Sequence, residues 1–337
     1  NGQDTLIVGA GETIQSAINA ASPGDTVFVE AGTYTEDITM RSEVSVVGAG
    51  FNSTTLRGTG TNSVVTAINV TNAQFAGFKV IRSGPASSDA GIDIRGGNLL
   101  VNNNWVIGNL NGIQVYNGSS GGSSAILRNN IVQGNGNSGS AFLNYGIIVL
   151  HSTPLIANNL VVSNTGVGIY VGWAESAGTQ IINNTVVGNT DSGIWCYSGG
   201  NAIIKNNIFT RNMSGIAASH GAVPQISFND VWGNFWHNYD SQSGGVAAAG
   251  PGDISADPLF DVAATPPFAL LPGSPCINAG DPNPLFNDRD GSRNDMGAFG
   301  GPAGLLPGPA SAITTGFLFN NIGKIPTSEI TPSGSLA

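Results

Sequence analysis

The stretch that decides the fold is Asn158-Asn159-Leu160-Val161-Val162-Ser163-Asn164, because its pattern of paired Asn, apolar centre and closing Asn recurs along the chain. Further copies lie at 103–109, 129–135, 183–189 and 206–212, and a decayed copy lies at 228–234. A second phrase, Gly-Ile-x-Val or a close variant, lies at 91–94, 112–115, 146–149, 168–171, 193–196 and 215–218. The Asn copies are 22 to 29 residues apart, a spacing typical of solenoid proteins.

Each repeat contains three short segments in which apolar residues alternate with others, and none has the 3.6-residue period of a helix. Side chains alternate sides along a strand, so one face of each segment points inward. The aligned repeats give three apolar columns: Ile92, Ile113, Ile147, Ile169, Ile194, Ile216; Val101, Leu127, Ile156, Ile181, Ile204, Ile226; and Val106, Val132, Val161, Val186, Phe209, Val231. We therefore predict an all-β, right-handed parallel β-helix with three strands per coil.

The Asn positions fall between the predicted strands, where the chain must turn. Asn tolerates the left-handed backbone conformation, and its amide can bond to the same amide one coil away. We predict that these Asn residues, Asn183 among them, form ladders along the rod. In this register Ile169 and Ile194 point inward while Tyr170 and Trp195 point outward, and a slip of one residue would reverse all four.

The repeats and both chain ends resemble the pectate-lyase-like family of right-handed parallel β-helix repeat proteins. The resemblance covers residues 5 to 302, and its most specific parts are the repeats, a helical segment at 13–21 and a C-terminal segment at 252–280. It implies the fold and an exported location. It does not fix an activity, because this family includes lyases, hydrolases, epimerases, adhesins and structural fibres.

Composition narrows the possible partners. A net charge of −10 and a pI near 4.5 argue against nucleic acid, because no basic patch could neutralise phosphates. No apolar run is long enough to span a membrane. The chain begins at Asn1 without Met, so we expect a mature form that is secreted, extracellular or attached to the cell surface.

Both ends of a β-helix expose its core, so both need covers. We predict an N-terminal capping strand and helix at 1–25, coils at 26–250 and a C-terminal cap at 251–302. A cluster of aromatic residues where the coils end is expected in the core of the cap: Trp232, Phe235, Trp236, His237 and Tyr239.

Asp288, Asp290 and Asp295 lie in an Asp-x-Asp-Gly loop of the predicted cap. Converging carboxylates beside a Gly turn could hold Ca²⁺, although the Glu that completes an EF-hand is missing. Alternatively, the carboxylates stabilise the turn and pair with Arg289 and Arg293. Both alternatives stay open, and no other cofactor is expected.

Residues 303–337 differ in character, with a Pro-rich linker followed by an apolar run. The run contains Ile313, Phe317, Leu318, Phe319 and Ile322. It is too apolar to lie in water, so it packs either on its own coils or on a neighbouring copy. An added strand on the end of a second β-helix would propagate as a filament, and we predict this form of self-association.

The resemblance implies that a site would lie outside the first strand of each coil. There the sequence places five aromatic residues: Tyr116, Tyr170, Trp173, Trp195 and Tyr197. Such rings suit stacking on sugars, and equally suit a protein interface. The carboxylates Asp93, Glu175 and Asp191 are scattered over several coils, and the paired acids and basic motifs of the family's enzymes are missing, so no catalytic residue is assigned.

These observations favour a non-catalytic structural protein that self-assembles into a fibre or layer, or adheres to a polymer. Two alternatives remain. One is a polysaccharide lyase or glycoside hydrolase that acts in the groove outside the first strand, and the other is a carbohydrate-binding module. Self-association and polysaccharide are the expected partners.

Overall fold

The computed structural model describes residues 4–118, 121–136 and 144–305, which form a parallel β-helix with three long sheets. From residue 26 onwards each coil gives one strand to each sheet in turn. Sheet 1 holds the strands of the Gly-Ile phrase, sheet 2 follows it in the coil, and sheet 3 holds the strand between the Asn positions.

Sheet 1 contains β4 (Ile38–Thr39), β7 (Val65–Ile68), β10 (Ala90–Arg95), β13 (Asn111–Tyr116), β16 (Tyr145–Leu150), β19 (Val167–Gly172), β22 (Ile194–Tyr197), β25 (Ser214–Ser219) and β28 (His237–Gln242). Sheet 2 contains β1 (Thr5–Val8), β2 (Thr26–Val29), β5 (Ser45–Gly48), β8 (Gln74–Ala76), β11 (Leu100–Asn102), β14 (Ile126–Arg128), β17 (Leu155–Ala157), β20 (Gln180–Ile182), β23 (Ile203–Lys205) and β26 (Gln225–Ser227). Sheet 3 contains β3 (Gly32–Thr35), β6 (Thr54–Arg57), β9 (Lys79–Ile81), β12 (Trp105–Ile107), β15 (Ile131–Gln133), β18 (Leu160–Val162), β21 (Thr185–Val187), β24 (Ile208–Thr210) and β27 (Asp230–Trp232).

The remaining elements are short. They are the helix α1 (Ile14–Ala20), 3-10 turns at Ala174–Ser176 and Pro284–Phe286, and an antiparallel pair formed by β29 (Phe260–Asp261) and β30 (Ala269–Leu270). Ile14 and Ile18 of α1 are buried in the core. The Glu36 carboxylate accepts the N–H groups of Ile14 and Gln15 and so caps the start of α1. No helix among the described residues is long and apolar enough to cross a lipid bilayer.

The predicted register is confirmed. In sheet 1, Ile169 pairs with Ile147 on one side and with Ile194 on the other, and all three are fully buried. Tyr170 and Trp195 pair with each other on the opposite face and are partly exposed. The columns of sheets 2 and 3 also stack as predicted, so one continuous apolar core fills the rod.

Two Asn ladders run beside this core. The second Asn of each repeat forms one ladder and the closing Asn forms the other, and these residues are buried throughout most of the rod. At the Asn159 rung, Nδ2 donates to Asn184 Oδ1 at 3.0 Å and to the Leu127 carbonyl at 2.9 Å. Its Oδ1 accepts from both N–H and Nδ2 of Asn130 at 3.0 Å. Every polar atom of the amide is therefore satisfied.

The first Asn of each repeat forms no continuous ladder, so the prediction is wrong for this position. Asn158, Asn183 and Asn206 have φ of 56°, 54° and 59°, in the left-handed region that Asn tolerates. Their side chains instead bond the C-terminal part of the chain. Asn158 Nδ2 donates to the Gly300 carbonyl at 2.7 Å, and Asn183 Nδ2 donates to the Asp295 carbonyl at 2.9 Å.

These bonds show that much of the segment predicted as a C-terminal cap, 251–302, does not cover the end of the coils. The chain around Ile254 does cover the last strand of sheet 3, β27. There the Val231 N–H donates to the Ile254 carbonyl at 3.0 Å. The chain after Ser274 then runs back along the flank of the rod. A buried ion pair between Lys205 Nζ and Asp281 Oδ2, 2.6 Å long, fastens it there.

The aromatic cluster predicted in the core of the cap is therefore largely at the surface. Phe235 is 78% exposed and Trp236 is 68% exposed, and His237 is exposed as well. Of these five residues, Tyr239 is the one that packs on the core, and its hydroxyl donates to Asp253 at 2.7 Å. The prediction is wrong because the segment expected to cover these rings lies along the flank instead.

The ladders predict that an Asn→Asp substitution destabilises the protein much more at a ladder position than at an exposed position. Asn159→Asp replaces three amide hydrogen bonds with a buried carboxylate that faces carbonyl and amide oxygens, so we expect unfolding to become easier by about 3 kcal/mol or more. Asn62→Asp is the control, because Asn62 is exposed, and it should change stability by less than about 0.5 kcal/mol. Thermal unfolding measures both. Equal effects of the two changes would show that the ladder does not stabilise the rod.

Candidate functional site

The candidate site lies on the outward face of sheet 1. Strands in a sheet are about 4.8 Å apart, so residues paired across β19 and β22 stack their side chains along the rod. Gly172 makes this packing feasible. A Cβ at Gly172 would lie 2.7 Å from the Tyr170 ring and 2.8 Å from Leu150, so a larger residue would push the ring away.

Four of the five predicted aromatic residues form one cluster, which we call the aromatic surface: Tyr170, Trp173, Trp195 and Tyr197. Tyr170 meets Trp195 edge-on at a centroid distance of 5.8 Å, and Tyr197 meets Trp195 at 6.1 Å and Trp173 at 5.6 Å. Trp195 Nε1 donates to Ser219 Oγ at 2.8 Å, which fixes the indole. The rings are thus held in place before any ligand arrives.

Tyr116 lies apart from the aromatic surface. Leu150 separates it from the next strand, and its hydroxyl donates to Gln114 Oε1 at 2.9 Å. Burial, with help from the Asp93 carboxylate, raises the pKa of Tyr116 to about 12. It remains a protonated hydrogen-bond donor at neutral pH, but it does not extend the surface.

Three further rings border the aromatic surface. Tyr145 packs on Tyr170 at 5.1 Å, His220 packs on Tyr197 at 4.6 Å, and the His151 ring lies parallel to Trp173 at 6.0 Å. The sequence analysis did not include these two histidines in the site. A usable signal existed, because His151, Trp173 and His220 each follow the last residue of a sheet 1 strand in register.

The turn after sheet 1 holds Trp173 in an unusual conformation. His151 and His220 have φ of 51° and 52°, within the ordinary left-handed region. Trp173 has φ 72° and ψ 151°, a combination that is otherwise almost confined to Gly. Such strain costs about 1–3 kcal/mol, and it tends to occur where a side chain has to be presented for function. The Trp173 side chain is 41% exposed.

An open pocket of about 440 Å³ adjoins the aromatic surface beyond His151. Its lining is rich in hydroxyl and amide groups: Asn117, Gly122, Ser123, Ser124, His151, Ser152, Thr153 and Glu175. His151 Nδ1 lies 3.0 Å from Glu175 Oε2. The Glu175 backbone N–H and then His151 lower the pKa of this carboxyl, so it is ionised at neutral pH.

Asp93 and Arg95 form an ion pair on the outward face. Arg95 Nη2 lies 2.7 Å from Asp93 Oδ2, and Asp93 is only 1% exposed. Burial outweighs the arginine and raises the pKa of Asp93. Asp93 Oδ1 has no hydrogen-bond partner within the part of the chain that the structure describes.

Several outward positions of sheet 1 are nevertheless buried. Gln114 is fully buried, and its Nε2 donates to the Ser88 carbonyl at 2.6 Å, so the preceding loop covers this end of the face. Ala217 and Ser219 are also buried.

Asp93 and Glu175 do not form a catalytic pair. Asp93 lies on β10 and Glu175 follows β19, three strands further along the sheet, which separates them by about 14 Å at about 4.8 Å per strand. Two-carboxylate glycosidases need separations of about 5 to 9.5 Å. Asp93 and Glu175 are therefore too far apart to act as such a pair.

The Asp-x-Asp-Gly loop favours the turn-stabilising alternative. Asp290 Oδ1 accepts from Ser292 N–H and Oγ, and Asp295 Oδ1 accepts from Asn278 N–H at 2.6 Å. Asp288 accepts the Asp295 N–H at 3.0 Å. Burial first, and then the neighbouring carboxylates, raise the pKa of Asp295 to about 6. No group of three His, Cys, Asp or Glu side chains in the described ranges is placed to hold a metal ion.

The prediction that Arg293 pairs with a carboxylate is wrong. Arg293 does not pair with a carboxylate, because its guanidinium donates to the carbonyls of Ala279 and Gly280 at 3.2 and 2.8 Å. The predicted assembly residues, Ile313, Phe317, Leu318, Phe319 and Ile322, lie outside the described residues. Self-association through them stays a prediction.

Comparisons with known proteins agree with the architecture. Residues 91–256 match the family model described as a right handed beta helix region. No curated protein matches the chain significantly. The solved structure of pectate lyase Pel9A has a TM-score of 0.57 and 16% identity, over 89% of this chain and 96% of Pel9A. The A-module of the mannuronan C-5 epimerase AlgE4 from Azotobacter vinelandii has a TM-score of 0.47 and 17% identity, over 66% of this chain and 73% of that one.

The chain is thus a right-handed parallel β-helix, as the repeats predicted. At these identities the likeness shows the fold and not the activity.

The strain at Trp173 makes a prediction about stability. Trp173→Gly and Trp173→Ala remove the same ring, but only Gly adopts this backbone conformation freely. We expect the Gly variant to be more stable than the Ala variant by about 1 kcal/mol or more, the reverse of the usual order. Melting temperatures of the two variants measure this. An Ala variant at least as stable as the Gly variant would mean that the position carries no strain.

Proposed function

We propose that this protein binds polysaccharide on the aromatic surface of sheet 1, as a secreted or cell-surface protein without a cleavage activity of its own there. The observation that carries the proposal is the cluster of partly exposed rings held on a rigid sheet. Aromatic faces pack well against the apolar C–H faces of sugar rings, while the sugar hydroxyls point sideways to polar groups.

The arrangement also keeps the cost of binding low. Trp195 is fixed by its bond to Ser219, and Tyr170, Trp195 and Tyr197 brace one another. Little side-chain entropy is then lost when a ligand binds, which favours affinity. The neighbouring pocket offers hydroxyl and amide groups to a sugar unit that extends beyond His151.

The tryptophans supply a test with an internal control. Trp173→Ala or Trp195→Ala should weaken glycan binding by about 1–2 kcal/mol, which corresponds to roughly 5- to 30-fold in Kd. Trp236→Ala removes an even more exposed tryptophan at the end of the coils and should leave binding unchanged. Affinity electrophoresis and calorimetry with a polysaccharide panel measure the difference.

The same panel separates binding from catalysis. Assays for reducing ends and for unsaturated products should stay blank with every polymer that is bound. Turnover that is lost in Glu175→Gln would instead favour the lyase or hydrolase alternative. No binding to any polymer, or equal losses from Trp195→Ala and Trp236→Ala, would contradict the proposal.

A second role is favoured by the exposed rings at the end of the coils. Phe235 and Trp236 lie beside β28, which is the last strand of sheet 1 and has no partner on its outer edge among the residues that the structure describes. An open edge with apolar side chains is a ready acceptor for an added strand. We propose that the apolar run at 313–319 of a second copy is that strand.

Substitutions in the full chain test this role. Either Trp236→Ser or the double change Phe317→Ser with Phe319→Ser should reduce the molar mass measured by light scattering at high protein concentration, because each removes one side of the contact. Trp173→Ser is the matched control and should leave assembly unchanged. Oligomers that persist in both test variants, or a wild-type chain that is monomeric throughout, would contradict self-association.

A further inference from the structure

We propose that the ligand of the aromatic surface is a neutral, hydroxyl-rich polysaccharide and not a polyuronate. This inference rests on the proposed function and specifies the chemical class of the ligand. It follows from the distribution of charge over the three sheets.

The outward face of sheet 1 carries almost no usable positive charge. Among the described strands of this sheet, Arg95 is the one Lys or Arg residue. Its guanidinium is bonded through Nη2 and Nε to Asp93 Oδ2, at 2.7 and 3.0 Å. Asp93 therefore neutralises it, and a ligand carboxylate would have to compete with a buried partner that is already in place.

Three of the other cations lie on sheets 2 and 3. Lys79 on sheet 3 sits over the Trp105 ring at 4.5 Å, and Lys205 on sheet 2 pairs with Asp281. Arg128 lies on β14 of sheet 2, and burial lowers its pKa. None of these groups belongs to the sheet that carries the aromatic surface.

Negative charge, in contrast, surrounds the aromatic surface. Glu175 lies in the adjoining pocket, Asp191 lies in the turn before β22, and Asp240 takes an outward position on β28 beside Ala217. His151 is the group that faces Glu175, at 3.0 Å. With a net charge of −10 on the whole chain, the field at this face repels polyanions.

A polyuronate brings one carboxylate per sugar, so several like-charge contacts would arise at once along the surface. A neutral glycan meets no such penalty. The groups in the pocket suit it, because hydroxyls and amides such as those of Asn117, Ser124 and Thr153 can both donate to and accept from sugar hydroxyls. The structure thus matches a chain of uncharged rings.

Polymers that share a backbone but differ in charge provide the test. Polygalacturonate is compared with its fully methyl-esterified form, and carboxymethyl cellulose with hydroxyethyl cellulose, alongside neutral glucans, mannans, xylans and galactans. We expect binding among the neutral polymers, and at least about tenfold weaker binding of each anionic form than of its neutral partner. The affinity for the neutral ligand should change by less than about twofold between 20 and 500 mM NaCl, because no ion pair contributes.

A charge variant tests the cause. Asp240→Lys should narrow the gap between the anionic and neutral forms, whereas Glu30→Lys, with the same change in net charge at the far end of the rod, should not. Preferential binding of polyuronate, with or without added calcium, would overturn this inference and leave the proposed function standing. Binding to no polymer of either kind would refute both.

Discussion

The hydrogen bond between stacked Asn side chains is the interaction on which the rest of the structure depends. Each ladder amide uses all its donors and acceptors, so a coil that slipped by one residue would leave several buried polar groups unpaired. The ladders therefore fix the register, and the register decides which face of every strand is apolar. The ladder formed by the second Asn of each repeat ends at Asn229, which donates through its N–H and Nδ2 to Asp253 Oδ1. The Asp253 carboxylate suits this end of the ladder, because an ionised carboxylate only accepts hydrogen bonds and also accepts the Gly250 N–H.

The fixed register is also what creates the candidate site. It places Tyr170 beside Trp195 and Gly172 beside Tyr197, so that the rings share one surface and have room for it. The strained turn at Trp173 adds a fourth ring. Charge is segregated at the same time, since the flank carries the Lys205–Asp281 pair while sheet 1 presents mostly uncharged groups. A rigid scaffold thus displays rings, hydroxyls and little positive charge along one line.

The fold and the strand register could be predicted from the sequence, because aligning the repeats shows which residues stack on one another. The inward Ile columns and the outward Tyr170 and Trp195 follow from the alternation of side chains along a strand. The different role of the first Asn could not be predicted, since its partners, Asp295 and Gly300, lie more than a hundred residues away. The exposure of Trp236 could not be predicted either, because it depends on the C-terminal segment lying along the flank of the rod. Ring contacts such as His220 with Tyr197 depend on turn geometry, which the alternation of apolar residues does not encode.

The most direct test of the account is ¹⁹F NMR of the protein labelled with 5-fluorotryptophan and titrated with a neutral polysaccharide fragment. The chain has five tryptophans, and only Trp173 and Trp195 lie in the aromatic surface. The account predicts that these two resonances shift with a common Kd while those of Trp105, Trp232 and Trp236 stay fixed. Shifts confined to the latter three, or no shift with any neutral glycan, would contradict it.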